Sequence, residues 1–473
     1  MGKDALYLKI AGMLEKQIRN GTFQVGDKLP SIRTVQKIYG VSLNTVKQAF
    51  LELESRSLIE SRHRSGCFVT RSFTRKLSLP SVSTPVLSAK EEEPDDLIAR
   101  VFDLYNDKSI THFSLDVPDN ALLPVAKLNK GIVKALRNLD GSGTGYESVL
   151  GNVNLRRSIS KWSIVWGGDL TENDIVTTSG ATNAIFHCLM AVTKPGDTIA
   201  LESPVYFGVL QIARTLGLKV IELPTHPETG VEIEALRRVL PQIKACFLIS
   251  NFNNPLGSCM PDEHKKEVVR MLAGANVPLI EDDLYGDIFF SDTRPLPCKA
   301  FDEEGIVMWC GSVSKTLAPG YRVGWISPGK YKERVARFKL LQTVSTPPLF
   351  QEVIADFMEN GRYEHHLRNL RNSLHANSLQ FLRAITDYFP ENTRVTHPGG
   401  GFVLWVELDR KADTTALLES ALKQKISFAP GRMFTQHNQF TNCMRLSFGL
   451  QWNERLDSQL KKLGQLIAAH LYS

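Results

Sequence analysis

The stretch Cys310-Gly-Ser-Val-Ser-Lys315-Thr-Leu-Ala-Pro-Gly320-Tyr-Arg322-Val-Gly-Trp325 decides how the larger part of this 473-residue chain folds and what it holds. Lys315 stands between small hydroxyl residues and a Pro-Gly turn, and Arg322 follows seven positions later. A lysine amine forms an imine with an aldehyde. An arginine beside it forks its N–H groups onto a phosphate. Together they point to one small ligand that carries both an aldehyde and a phosphate.

Working outward, short apolar runs alternate with helical patterns and end in polar residues. Residues 174–178 read as a strand, Ser179-Gly-Ala-Thr182 as a turn and 183–192 as a helix. A turn that opens a helix leaves free backbone N–H groups, which suit a phosphate. Further strands are expected at 198–201, leading to Tyr206, at 220–223, and at 245–249, running into Asn253-Asn-Pro-Leu-Gly257. Residues 278–280 lead into Glu281-Asp-Asp-Leu-Tyr285, and 306–309 into the lysine stretch. This alternation describes an open α/β sheet with a binding crevice at the strand carboxyl ends. The glycine-rich run 140–146 is by itself weak evidence of phosphate binding.

Taken in order, these motifs resemble fold-type I pyridoxal phosphate (PLP) aminotransferases across essentially all of residues 98–473. The resemblance implies an α/β domain with a mainly parallel central sheet and PLP as cofactor. It implies that Gly180, Ala181 and Thr182 hold the phosphate, with Ser312 and Arg322 completing the cup. Tyr206 then stacks on the ring, Asn254 and Tyr285 bond the ring 3-oxygen, and Asp282 pairs with the ring nitrogen. Lys315 forms the Schiff base, Tyr146 reaches the phosphate of a neighbouring subunit, and Arg445 binds the carboxylate of an amino-acid ligand. The chemistry suits each role, since a carboxylate keeps the ring nitrogen protonated and an aromatic face adds stacking. Asp282 is preferred to Asp283 for its Asp-x-x-Tyr spacing to Tyr285. Leu256 departs from the threonine more usual in these enzymes and leaves the asparagine intact.

The first 71 residues carry a different pattern. Leu6, Ile10, Met13, Leu14 and Ile18 keep the helical period, and Asn20-Gly21 stops it. Ser31 is placed to cap a second helix through Tyr39, and Ser42 a third through Leu53. Residues 58–70 read as a hairpin with a cationic tip. Such a winged helix-turn-helix lays its third helix in a major groove. The segment resembles the DNA-binding domain of GntR-type regulators in Leu29-Pro-Ser-x-Arg33, Gly40-Val-Ser-x-Asn44-Thr-Val46 and Ser65-Gly66. That resemblance implies DNA contacts from Arg33, Asn44, Thr45, Lys47 and Gly66, while the wing arginines Arg62 and Arg64 reach the backbone or minor groove. Leu43 replaces the arginine usual there and Gln36 stands where a small alanine often packs, so the sequence preference is expected to differ.

Charge supports the division. Residues 1–76 carry 14 Lys/Arg against 6 Asp/Glu, net +8, and the rest carry 42 against 44, net −2. A basic head on a near-neutral body points to a polyanion partner for the head alone. The composition, 42% hydrophobic and 22% charged, is that of a soluble globular protein. No run approaches the roughly 18 apolar residues of a membrane helix, and the N-terminus has no signal-peptide core. Seven dispersed cysteines favour reduced thiols over disulfides or a zinc site. The Ser/Pro-rich and acidic stretch 72–97 reads as a flexible linker.

A GntR-type head joined to an aminotransferase-like body resembles the MocR-type subfamily of bacterial regulators. The resemblance implies a PLP-dependent, DNA-binding transcriptional regulator of the cytoplasm. The body senses PLP or an amino compound at Lys315, and a homodimer presents two heads to a double-stranded operator. No metal is expected. The alternative is a working aminotransferase that carries a DNA-binding domain, because every transamination residue that can be identified is present.

Overall fold

The computed structural model describes residues 6–56, 58–62, 65–70, 77–89, 96–104, 107–359 and 361–472. The head comprises α1 (Leu6–Arg19), α2 (Ile32–Tyr39), α3 (Leu43–Ser55) and an antiparallel hairpin of β1 (Ile59–Arg62) and β2 (Gly66–Val69). Ser31 and Ser42 accept the N–H groups of Thr34 at 3.2 Å and Thr45 at 3.1 Å, satisfying amides that a helix start otherwise leaves unpaired. Gly40 takes a left-handed φ of 63° to close the turn between α2 and α3. The apolar stripes of α1 and α3 bury Tyr7, Ile10, Leu14, Val46, Phe50 and Leu53 in one small core with Leu29 and Val69.

The body is organised by an eight-stranded sheet. Its strands are β3 (Val176–Thr178), β4 (Thr198–Ser203), β5 (Lys219–His226), β6 (Gly230–Val231), β7 (Ala245–Leu248), β8 (Leu279–Asp282), β9 (Val307–Ser312) and β10 (Gly324–Ser327). Their spatial order is β3-β10-β9-β8-β7-β4-β5-β6. The bonds β9–β8, β8–β7, β7–β4 and β4–β5 are parallel, and β10 runs antiparallel to both neighbours. Parallel strands covered on both faces are buried over most of their length, which is why apolar residues predominate in them, with the buried acids Glu202, Glu281 and Asp282 toward their carboxyl ends. Their carboxyl ends share one edge of the sheet, so residues far apart in sequence converge there.

The helix α4 (Ala181–Val192) begins two residues earlier than expected, because Ser179 and Gly180, the latter at φ 89°, complete the turn after β3. The 27-residue helix α5 (Arg362–Tyr388) leads to a smaller antiparallel sheet. That sheet contains β11 (Arg394–Val395), β12 (Val403–Glu407), β13 (Ala429–Pro430) and β14 (Cys443–Ser447) in the order β11-β12-β14-β13. One continuous core, including Phe247, Ile280, Phe381, Phe402 and Leu446, joins the two sheets.

Within the 72–97 stretch expected to be a flexible linker, residues 77–89 lie extended against the body. Ser81 donates to the Glu407 carboxylate from its N–H at 2.6 Å and its hydroxyl at 3.1 Å, and Thr225 N–H donates to Ser83 Oγ at 2.9 Å. Pro80, Ser83 and Pro85 are buried there. No helix among the described residues is long and apolar enough to cross a membrane, and no group of His, Cys, Asp or Glu there is placed to hold a metal ion. The seven cysteines are all free thiols.

Candidate cofactor site and DNA-reading face

A cavity of about 260 Å³ opens at the carboxyl edge of the large sheet. It is lined by Ala181, Thr182, Tyr206, Asn254, Asp282, Tyr285, Lys315, Arg322 and Arg445 of the sequence-derived set. Asp116 and Ser314, which sequence reasoning did not single out, also line it.

One wall is an anion cradle. The amino end of α4 presents backbone N–H groups behind Gly180 with no side-chain cap among the described residues. Any Cβ on Gly180 would collide with the Arg322 guanidinium, so only glycine lets the two approach. Arg322 itself takes a left-handed φ of 53° and donates to Ser314 Oγ and to the carbonyls of Pro319 and Ser179, each at 3.3 Å. Ser312 sits just behind this wall. Its hydroxyl lies 2.8 Å from Ser314 Oγ and donates to Val323 O at 2.8 Å.

The opposite wall carries Asp282, at the end of β8. Burial pushes its carboxyl up to about 7, against the opposing pull of the Leu284 N–H and the Lys315 charge. The neighbouring Asp283 faces away and is fully occupied by Arg294 at 2.5 Å, Trp309 Nε1 at 2.9 Å and Asn251 Nδ2 at 2.9 Å. Geometry thus separates two carboxylates that charge alone leaves equivalent.

Between the walls stands Lys315. Its Nζ donates to the Asp116 carboxylate at 2.9 Å and to the Asp116 carbonyl. The same carboxylate accepts from Asn254 Nδ2 at 2.8 Å and from the Tyr285 hydroxyl, and Asn254 Nδ2 lies 3.2 Å from the Tyr285 oxygen. Burial alone would raise Asp116, but the Lys315 and Arg445 charges outweigh it and hold its carboxyl below the usual range. Its second oxygen is buried without a hydrogen-bond partner among the described residues. Burial pushes the Tyr206 hydroxyl up to about 12 and Tyr285 well above its ordinary value.

Arg445, on β14, is 1% exposed. Its guanidinium donates to Asn254 Oδ1 at 3.1 Å and to Ser114 O, both neutral oxygens, and Nε has no partner among the described residues. A buried guanidinium without a carboxylate bonded to it is suited to an anionic group brought by a ligand. Tyr146 lies outside the cavity at 89% exposure.

The donor set fits PLP group by group. An anion cradle, a buried carboxylate without an ion-pair partner among the described residues, a neutral amide–phenol pair and a primary amine all face one cavity.

On the head, Arg33, Asn44 and Lys47 are exposed on α2 and α3, and Thr45 is half-buried beside Ser42 Oγ at 2.8 Å. Gly66 takes a φ of 106° at the start of β2, with the Lys28 side chain against it. Arg62 lies in β1, with only its backbone described, and Arg64 lies outside the described residues.

Comparison with known proteins agrees with both halves. Residues 117–458 match the family pattern of class I and II aminotransferases, and residues 6–69 that of bacterial regulatory proteins of the gntR family. The chain is 35% identical to the uncharacterised HTH-type transcriptional regulator YjiR of Escherichia coli, over 98% of each chain. It is 34% identical to YdcR of the same organism, over 98% of this chain and 99% of the relative. Among solved structures, a kynurenine aminotransferase of Pyrococcus horikoshii superposes with a TM-score of 0.75 at 26% identity, covering 81% of this chain and 96% of that one. The chain belongs to the HTH-type transcriptional regulators in which a GntR-type DNA-binding head is joined to a PLP-dependent, class I and II aminotransferase-like body, the MocR-type arrangement.

Proposed function

We propose that the body is a sensor whose cavity binds PLP at Lys315 and then an amino-acid-like effector, and that occupancy alters how the head binds its operator. PLP supplies an aldehyde carbon open to amines and an electron-withdrawing ring. Lys315 Nζ is the amine that bonds to that carbon. The N–H groups of Ala181 and Thr182, with Ser314, Ser312 and Arg322, hold the phosphate; Asp282 holds a proton on the ring nitrogen; Asn254 and Tyr285 meet the ring oxygen; Tyr206 packs on its face. Asp116 is the counter-ion of the lysine amine, and Arg445 grips the effector's carboxylate.

The observation that carries this reading is the single cavity holding both a primary amine and the buried Arg445 guanidinium, bridged through Asn254 and Asp116. Arg33, Asn44, Thr45, Lys47 and Gly66, with the wing arginines Arg62 and Arg64, contact the DNA. A homodimer in the bacterial cytoplasm, with Tyr146 reaching the neighbouring site, completes the reading, and the exposure of Tyr146 supports it. The body's likeness to a kynurenine aminotransferase favours a second reading, in which the cavity turns over substrate.

Lys315→Ala tests the proposal. The variant is expected to lose the absorbance of lysine-bound cofactor and all dependence of operator binding on PLP or amines, while still binding DNA. Operator binding by the unaltered chain that is identical with and without PLP and amines sinks the sensor. Rapid multiple turnover with a keto-acid acceptor promotes the enzyme.

A further inference from the structure

The helix α5 touches both functional regions of the molecule. In its first turns, the Tyr363 hydroxyl lies 2.8 Å from Thr316 Oγ1, and His366 Nε2 lies 2.6 Å from Thr316 O. A carbonyl only accepts, so His366 carries its proton on Nε2. Thr316 is the residue after Lys315, so the start of α5 is bonded to the backbone that carries the reactive amine.

Further along, α5 holds the head. Gln48 of α3 donates to Asn372 Oδ1 at 3.1 Å, and Arg383 donates to Glu54 at 2.9 Å. The Tyr7 hydroxyl lies 3.4 Å from His375 Nε2, with ring centroids 5.2 Å apart. His366 and His375 are about 14 Å apart along the axis at 1.5 Å per residue, a span a packed helix bridges rigidly. A second route runs beside it. Phe290, five residues after Tyr285, stacks on His375 with centroids 4.9 Å apart.

The contact on α3 falls where DNA has to be read. Gln48 lies one turn after Asn44 and beside Lys47, half-buried where those two are exposed, on the same stripe at i, i+3 and i+4. A major groove roughly 12 Å wide and about 8.5 Å deep admits one helix. A helix with its side chains is about 10–12 Å across, so the groove that takes Asn44 cannot also clear α5 a turn away. The seat is loosely filled, since the head and α5 flank a cavity of about 680 Å³ lined by Glu15, Glu52, Arg56 and His375 together with Leu379 and Leu382. An interface of three side-chain bonds and one ring contact among the described residues, closed around a cavity rather than a packed apolar seam, leaves head and body free to separate.

We propose that α5 is a docking surface for the DNA-reading head, which holds α3 away from DNA at one end and responds to the lysine segment at the other. The coupling to the lysine end rests on the sensor reading above; the docking does not.

The test uses the full chain carrying Asn372→Ala and Arg383→Ala together. Both residues lie outside the cavity on partly exposed positions of α5, and alanine preserves helix. The probe DNA is a duplex selected by the unaltered chain from a random pool, and the ligand is PLP itself. In protein stripped of cofactor, the variant is expected to bind the duplex at least about fivefold more tightly, the lower end of ordinary coupling between sites. Equal or weaker binding overturns the docking role.

On adding PLP, the unaltered chain is expected to change its affinity and the variant to change it less than about twofold, while both show the same lysine-bound absorbance. A variant that keeps the full response overturns the coupling. An unaltered chain that binds no PLP breaks the sensor reading, and with it the coupling, while the cofactor-free comparison still decides the docking.

Discussion

In the lysine pocket, Asp116, Asn254, Tyr285, Lys315 and Arg445 each lean on another member of the set, and Arg445 and Tyr285 are almost wholly buried. On the reading face, Arg33, Asn44 and Lys47 are exposed, and no network of side-chain bonds joins them among the described residues. Burial makes a polar group costly unless it is paired, and pairing makes its neighbours depend on it. Groups in water carry neither burden. Substitutions in the pocket therefore reach the fold, whereas substitutions on the reading face reach only the bound state.

The largest expected effect lies just behind the pocket. Arg294 bonds the fully buried Asp283 at 2.5 Å and the half-buried Asp287 at 2.7 Å. Arg294→Ala leaves the buried Asp283 carboxylate and the half-buried Asp287 without their cation and is expected to destabilise the body by about 3–5 kcal/mol. All six tryptophans lie in the body, so denaturant unfolding followed by tryptophan fluorescence reads that domain alone. Arg33→Ala, on the reading face, is expected to stay within about 0.5 kcal/mol when the unfolding of head and body is followed together by far-UV circular dichroism. A comparable loss at Arg33 breaks the contrast.

A smaller effect carries a pH signature. Glu202, on β4 beneath the pocket floor, is fully buried and accepts the Ile249 N–H at 2.7 Å. Burial pushes its carboxyl up to about 8, outweighing the Ile249 N–H and the Asn253 amide. A folded-state value above the unfolded one contributes stability that is full below the unfolded value and lost as pH rises through the folded one. Melting temperatures of the unaltered chain are thus expected to fall relative to Glu202→Gln between pH 5 and about 8, since the amide mimics the protonated acid. Parallel curves for the two proteins refute a buried proton there.

How far the sequence discloses these regions follows from the same physics. The strand-end residues were legible because parallel strands deliver fixed turns, Gly180, Asn254, Asp282 and Lys315, to one edge in chain order. Asp116 was not. It lies 199 positions from Lys315 and is held there by contacts that leave no local pattern, among them Ser447 N–H to Phe113 O at 2.8 Å and Arg445 to Ser114 O. The Asp282–Asp283 choice rested on spacing, while the partners that occupy Asp283 come from three other segments. The Ser/Pro composition of 77–89 announces chain without its own ladder of bonds. It does not say that Glu407 and Thr225 lie ready to bond it. Nor does the apolar period of α5 reveal that its polar Asn372 and Arg383 face the head.

The smallest effect is expected where the side chain is freest. Lys47 is exposed on α3 next to Asn44 and belongs to the set that contacts DNA in the proposed function. As an ammonium point charge it is suited to a phosphate rather than to a base edge. Lys47→Ala is expected to leave the unfolding curve in place and to weaken every duplex alike. The slope of log affinity against log salt is expected to shallow by about one, as it does when a single phosphate is no longer neutralised. Asn44→Ala offers the counterpart, because an amide that reads an adenine edge is expected to cost about 1–3 kcal/mol at one base position with the salt slope unchanged. If Lys47→Ala relaxes preference at a single base and spares the slope, the lysine reads sequence, and the division of labour along α3 is the reverse of the one proposed.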